Sequence, residues 1–242
     1  MKDLLTRIRR ECDVVVTVAD ARNPETFFNY RPYREQKVIQ VINKIDLCTE
    51  NELEDLRKNY KNAIFMSCRT RKGKGYLLHT LIRYAKERGH LVRVGIVGVP
   101  NVGKSSIINM LRGKRSLRTS PTPGETKGIQ WIKIHKDILL YDSPGVFIRN
   151  RDEQVLAKAA TISAEKMNDP ERAAVSLLEH LMKSKGKEYI ASHYDISIED
   201  EDDVYTIIEK IARRNGMLLK GGELDLDRAA KRIIHEWQQG KI

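Results

Sequence analysis

At 242 residues the chain is long enough for one domain of ordinary size and a small second one. Three cysteines (Cys12, Cys48, Cys68) are an odd number without metal-ligand spacing, and six histidines stand singly. This excludes a disulfide framework and a Cys/His metal site, and it points to a reduced, cytoplasmic protein. The formal charge of +11 is uneven: residues 161–242 carry 13 basic and 16 acidic side chains, which leaves 31 basic and 17 acidic in residues 1–160. A basic first two-thirds suits a polyanionic partner, most simply nucleic acid, although such charge also serves plain solubility.

Residues 2–10 are a short basic segment of helical character. Residues 14–19, Val-Val-Val-Thr-Val-Ala, read as a buried strand. That run is too short to cross a membrane and ends on Asp20, so it is neither a membrane span nor a signal peptide. Asp20-Ala21-Arg22-Asn23-Pro24 turns the chain. In the loop beyond it, Phe27, Phe28, Tyr30 and Tyr33 alternate with Arg22, Arg31 and Arg34. Aromatics among arginines can stack on bases or pack beneath a long loop. Residues 38–42 form a second strand that runs into Asn43-Lys44-Ile45-Asp46, an N-K-x-D motif. A carboxylate there can accept two parallel N–H bonds, which matches the N1–H and 2-amino edge of guanine and is repelled by adenine's acceptor.

Leu53, Leu56 and Tyr60 mark a helix. Residues 63–66 form a third strand ending in Ser67-Cys68-Arg69, and a basic run follows (Arg69, Arg71, Lys72, Lys74). Leu78, Leu81, Ile82 and Ala85 give a helical stripe. Residues 91–97 then read as a buried strand that leads into Gly98-Val99-Pro100-Asn101-Val102-Gly103-Lys104-Ser105, and Ile107, Ile108 and Leu111 supply a helical face after it. This fits the phosphate-loop pattern G-x-x-x-x-G-K-[ST] without mismatch, between a strand and a helix as the motif requires. Backbone N–H groups and the helix N-terminus would hold a β-phosphate, Lys104 would bridge the β- and γ-phosphates, and the Ser105 hydroxyl would bind Mg²⁺.

A basic stretch, residues 112–120, leads through Pro121-Thr122-Pro123-Gly124-Glu125-Thr126 to a strand at 129–135. A short strand at 139–141 ends in Asp142-Ser143-Pro144-Gly145. In this D-x-P-G the Asp would reach Mg²⁺ through water and the Gly N–H would sense a γ-phosphate. Residues 151–161 read as a helix. The remainder is helical, with i, i+3, i+4, i+7 stripes at Ala174/Leu177/Leu178/Leu181, Val204/Ile207/Ile208/Ile211 and Ala230/Ile233/Ile234/Trp237. Asp202 or Asp203 can cap the second of these helices and Gly216 can end it.

The motifs stand in an unusual order. An ordinary GTPase runs phosphate loop, switch Thr, D-x-x-G, N-K-x-D, then a Ser-Ala-Lys-like loop; here N-K-x-D and Ser67-Cys68-Arg69 come first. The chain is therefore circularly permuted, which a doubly wound sheet tolerates because its ligand site lies at strand C-termini. With right-handed crossovers, six strands are expected side by side in the order 129–135, 137–142, 92–98, 13–19, 38–42, 62–67, the first antiparallel. The order, together with D-A-R-x-P, N-K-x-D, G-x-P-N-V-G-K-S, P-G-x-T and D-x-P-G, resembles the YlqF/YawG-type circularly permuted GTPases of large ribosomal subunit assembly.

The resemblance implies a permuted P-loop GTPase domain over residues 1–160 and a small all-helical domain over 161–242 that binds RNA or the ribosome. Its Gly221-Gly222 and the amphipathic helix ending at Gly240-Lys241 look similar to the family's C-terminal domain. It implies nucleotide contacts from Asn43, Lys44, Asp46, Ser67, Cys68, Arg69, Pro100, Asn101, Val102, Gly103, Lys104, Ser105, Ser106, Asp142 and Gly145. In GTPases the motif Lys covers the base with its stem, the motif Asn ties the loop to the phosphate loop, and an N–H of the Ser-Ala-Lys loop meets guanine O6. Lys104, Thr126 and Gly145 would serve catalysis, and Ser105, Thr126 and Asp142 would hold Mg²⁺. Val146 stands where Ras-like enzymes carry a water-positioning Gln, and no His precedes His79, so no general base is assigned. Asn101 resembles the Asn that helps hold K⁺ in potassium-activated GTPases, although it can instead shape the loop through its own hydrogen bonds.

The expected activity is GTP hydrolysis to GDP and phosphate, slow without ribosomal particles, by a monomeric cytoplasmic switch. Its partners would be ribosomal RNA and the large subunit or its precursor, with no membrane. A GTP-binding assembly scaffold with negligible turnover is the alternative. A metabolic P-loop kinase is a third reading, against which Asp46 argues.

Overall fold

The computed structural model describes residues 2–24, 30–113, 130–142 and 167–242. The chain divides into two compact units, Met1–Ile148 and Arg149–Ile242. The boundary expected at 160/161, and the helix expected at 151–161, lie outside the described residues.

The first unit is built on a six-stranded sheet: β1 (Val14–Asp20), β2 (Lys37–Asn43), β3 (Ile64–Phe65), β4 (Val92–Gly98), β5 (Gln130–His135) and β6 (Ile138–Asp142). Its spatial order is β3-β2-β1-β4-β6-β5, with only the outermost β5 antiparallel to its neighbour. This is the permuted order expected from the motifs. β1 has all seven residues buried because it is central and covered on both faces, hence its unbroken Val run. Val14, Val16 and Val18 face one core, shared with Leu77, Leu81 and Ala85 of α3 (Lys74–Arg88) and Ile107, Ile108 and Leu111 of α4 (Lys104–Arg112). Val15 faces the other side, where Ile8 and Cys12 pack at and just beyond α1 (Lys2–Glu11). Ile42 meets Leu53 and Leu56 of α2 (Glu50–Asn59) on a further buried patch.

The α3 stripe differs from the expected one in a detail. Leu77 rather than Leu78 is fully buried; Leu78 and Ile82 flank the core at its edge. α2 begins with a complete capping box, Thr49 and Glu52 exchanging side chain–backbone bonds. α1 ends on Gln36, whose side-chain amide donates toward the carbonyls of Ile8, Arg9 and Cys12 at 3.1, 3.1 and 2.6 Å. The Arg9 and Cys12 carbonyls are orphan acceptors of a helix C-terminus, while the Ile8 carbonyl also accepts from the Cys12 N–H at 3.1 Å.

α1 lies so close to β4 that a Cβ on Gly95 would meet Ile8 Cγ2 at 2.9 Å and Cys12 Sγ at 3.0 Å. Gly95→Ala is expected to lower unfolding stability by about 1–3 kcal/mol through overpacking. Urea unfolding checks this, and an unchanged midpoint would mean that α1 is not seated on β4.

The second unit is helical: α5 (Pro170–Lys185), α6 (Lys187–Tyr194), α7 (Val204–Arg214) and α8 (Leu226–Gln239). The three expected stripes form its core, with Trp237 among the largest fully buried side chains. Each of the three long helices starts on an aspartate whose carboxylate accepts from the backbone N–H three residues on: Asp169 from Arg172, Asp203 from Thr206 and Asp225 from Arg228. Asp203 is thus the cap of α7, while Asp202 pairs with Lys210. α6 was not expected. It starts at Gly186 without a side-chain cap and buries only Ile190 and Tyr194. Among the described residues no helix is long and apolar enough to cross a membrane.

Candidate nucleotide site

The C-terminal ends of β1, β2 and β4, with the segment after β3, bring the sequence-predicted residues to one edge of the sheet. β2 ends on Asn43, which is 2% exposed. Its side-chain Nδ2 donates to the Val102 carbonyl at 2.8 Å, and its Oδ1 accepts from the Cys68 N–H at 3.3 Å. One carboxamide therefore joins three segments that are far apart in the chain: 43–46, 67–69 and the phosphate loop. The approach requires glycine at 103. Its φ is +97°, and a Cβ there would come within 2.2 Å of Asn43 Nδ2.

Lys44 has φ 66°, a left-handed conformation that lysine rarely adopts, and it turns the chain from β2 into a short 3-10 turn, Ile45–Leu47. Asp46 sits in that turn, exposed. Ser67 is fully buried and its Oγ accepts from the Thr70 N–H at 3.1 Å, shaping the loop that carries Cys68 and exposed Arg69. Burial pushes the Cys68 thiol up to about 11; a hydrogen bond with Asn43 lowers it and the negative charge of Asp46 raises it further.

In the phosphate loop Pro100 and Gly103 are half-buried, Val102 is buried, and Asn101, Ser105 and Ser106 are exposed. Asn101 also holds a positive φ, 61°. Lys104 opens α4 yet is only 8% exposed; its Nζ donates to the Val99 carbonyl at 2.6 Å, folding the side chain back over the loop. Burial lowers its pKa to about 8. Asp142 ends β6, the parallel neighbour of β4, at the same edge of the sheet. Thr126 and Gly145 lie outside the described residues, as do Val146, Phe27 and Phe28.

One part of the site was missed as such. Asp20, at the end of β1, is 2% exposed and carries two cations. The Arg22 backbone N–H and Nε donate to its Oδ1 at 3.1 Å, Arg22 Nη2 donates to Oδ2 at 2.9 Å, and Lys44 Nζ lies 2.9 Å from Oδ2. Burial disfavours ionisation of Asp20, but the bonds and charge of Arg22 and the charge of Lys44 outweigh it and hold the carboxyl below the usual carboxylate range. Arg22, read among the arginines that could meet bases, is instead committed inside the fold. The D-A-R spacing was visible in the sequence, but nothing in it assigned Lys44 as the third member.

A family model described as RsgA GTPase matches residues 15–149, and one described as 50S ribosome-binding GTPase matches residues 93–212, beginning in β4. The crystal structure of GNP-bound YlqF from T. maritima superposes with a TM-score of 0.69 at 30% identity, over 99% of this chain and 94% of that one. The chain belongs to the YlqF-type circularly permuted GTPases. The GDP-bound YlqF structure agrees equally, with a TM-score of 0.68 at 31% identity. An uncharacterized GTP-binding protein of Methanocaldococcus jannaschii is 38% identical over the whole of this chain, which spans 66% of that relative. Nuclear/nucleolar GTPase 2 of Arabidopsis thaliana is 35% identical over 98% of this chain, which spans 43% of that protein. The YlqF-type likeness thus runs through the permuted sheet and the helical unit alike.

Proposed function

We propose that the protein binds GTP and GDP and hydrolyses GTP as a switch in assembly of the large ribosomal subunit. The observation that carries this is the Asn43 carboxamide, which welds the N-K-x-D loop to the phosphate loop in a chain that supplies them in reversed order. Asp46, exposed in the turn after β2, is the reader of the guanine edge, with the Lys44 stem against the base and Ser67, Cys68 and Arg69 around it. Residues 100–106 take the phosphates, and Lys104 swings from the Val99 carbonyl to meet them. Mg²⁺ suits this arrangement: the Ser105 hydroxyl is exposed in the first turn of α4, and β6 ends on Asp142 beside β4. The metal would neutralise charge on the phosphates. Thr126, Gly145 and a K⁺ ion near Asn101 complete the reading.

Exposed Arg31, Arg34, Arg69, Arg71 and Lys72 on the basic first unit support a contact with ribosomal RNA, as does the basic charge of residues 112–118. Among the aromatics of that region, Tyr33 stacks under Arg34 at 5.2 Å, and buried Tyr30 bonds Gln36. The helical second unit shares the RNA contact in this reading. The protein acts as a monomer where ribosomes are built, the cytoplasm in a cell without a nucleus.

Single-turnover hydrolysis of GTP in matched KCl and NaCl, with and without large ribosomal subunits, tests the proposal. Turnover is expected to rise with subunits and to be faster in K⁺. Arg71→Glu/Lys72→Glu is expected to weaken co-sedimentation with the subunit and to flatten its salt dependence by about two counterions. GTP binding without turnover under every condition would favour an assembly scaffold instead.

A further inference from the structure

Lys44 and Asp46 pose a local problem of charge. They stand two residues apart at one tight turn and carry opposite charges. An ammonium on a flexible four-carbon stem can reach a nearby carboxylate, and such a pair would occupy the acceptor atoms that a base edge needs. In the structure the ammonium is elsewhere, 2.9 Å from Asp20 Oδ2. Among the described residues no hydrogen bond or ion pair engages the Asp46 carboxylate.

Asp20 is well built to win that competition. It lies opposite Asn43 in the β1–β2 register, one residue from Lys44, and the Ala21 N–H donates to the Asn43 carbonyl at 2.8 Å, locking the two strand ends together. Arg22 holds both oxygens of the carboxylate from one side. A buried, pre-aimed acceptor attracts an ammonium more strongly than an exposed one in high dielectric. The Asp20–Arg22 pair is already neutral, so the second cation is not needed to satisfy the buried charge. The backbone also bears the cost of a left-handed lysine to deliver it.

We infer that Asp20 and Arg22 are positioning residues for base selection: they hold the Lys44 ammonium against β1 and so keep the Asp46 carboxylate open to the guanine edge. The inference rests on the GTP-binding reading above. Without the pair, Lys44 turns onto Asp46 and the site loses its grip on the 2-amino group, while the phosphate contacts stay as they were.

The experiment compares dissociation constants for GDP and for inosine diphosphate, which lacks the 2-amino group. Asp20→Asn alone strands a buried guanidinium, so the working variant is Asp20→Asn/Arg22→Gln, in which amide faces amide. Its preference for GDP over inosine diphosphate is expected to fall about tenfold or more. Adding Lys44→Met, which keeps the stem and removes the charge, is expected to restore that ratio even where absolute affinity is lower. Asp20→Ser/Arg22→Met, which replaces the buried ion pair with uncharged side chains, is expected to give the same fall and serves if the first double variant melts.

A ratio unchanged in both variants, equal weakening of the two nucleotides, or no recovery with Lys44→Met overturns the inference. Failure of the GTP-binding reading looks different. The parent protein itself would then not prefer GDP, or Asp46→Asn would leave the preference intact.

Discussion

Asp46→Asn is expected to turn the site from guanine toward xanthine nucleotides and to cost about 2–4 kcal/mol in GTP binding. The carboxylate stands exposed at the 3-10 turn after β2, with both oxygens available. A paired acceptor matches N1–H and the 2-amino group together; an amide offers one acceptor and one donor. The donor then faces the amino group of guanine, but it would satisfy the 2-oxo group of xanthine. Titration calorimetry with GDP and xanthosine diphosphate checks this. If the variant keeps the parent's guanine preference, Asp46 does not read the base.

Lys104→Ala is expected to lower nucleotide affinity by about 2–5 kcal/mol, the range for truncating one partner of a desolvated charge pair. The fold should survive, because Nζ donates to a carbonyl of its own loop rather than bracing another element. The parent carries a second signature. In the free protein burial lowers Lys104 to about 8, and phosphate oxygens beside it would raise that value again. A group whose pKa is higher in the complex takes up a proton on binding, so affinity should be level below about pH 7 and fall by up to about tenfold per pH unit above pH 8. Measuring GDP binding in chelator isolates this from the metal. Loss of the slope in Lys104→Ala ties it to that side chain, and an equal slope in both proteins would assign the titration elsewhere.

The order of the six strands was legible because it needs little information: six strand runs, a motif at the end of each of the five parallel strands, and the right-handed crossover rule. The meeting of Asn43 with the loop of Gly103 and Lys104 was legible for a related reason, since the N-K-x-D and phosphate-loop patterns fix residue type at a fixed spacing. What escaped was held together by tertiary geometry. α6 shows only Ile190 and Tyr194 to the core, one i, i+4 pair without a capping aspartate, which is too short a stripe to stand out. Leu77 and Leu78 are interchangeable by period, and packing on the sheet chose the first. Gln36 stands just ahead of β2 in no motif or stripe, yet its side chain closes α1 across 24 residues of chain. Arg22 was grouped with its arginine neighbours because a buried bidentate bond to a residue two positions earlier leaves no periodic trace.

The permuted strand order also sets a timetable for a chain still being synthesised. β1 emerges first and becomes an inner strand of the finished sheet; β2 and then β3 add on one side of it, and the other side stays open until β4 arrives. Throughout that interval the half that carries N-K-x-D is complete in covalent terms, but Asn43 has no Val102 carbonyl to bond and β1 presents a bare row of backbone groups. Nucleotide can lend its binding energy to folding only after residues 98–112 have left the exit tunnel. In a GTPase of ordinary order the phosphate loop comes out first and waits for the base reader. Here the waiting is reversed, and the segment most exposed to mispairing during that wait is the valine-rich edge of β1.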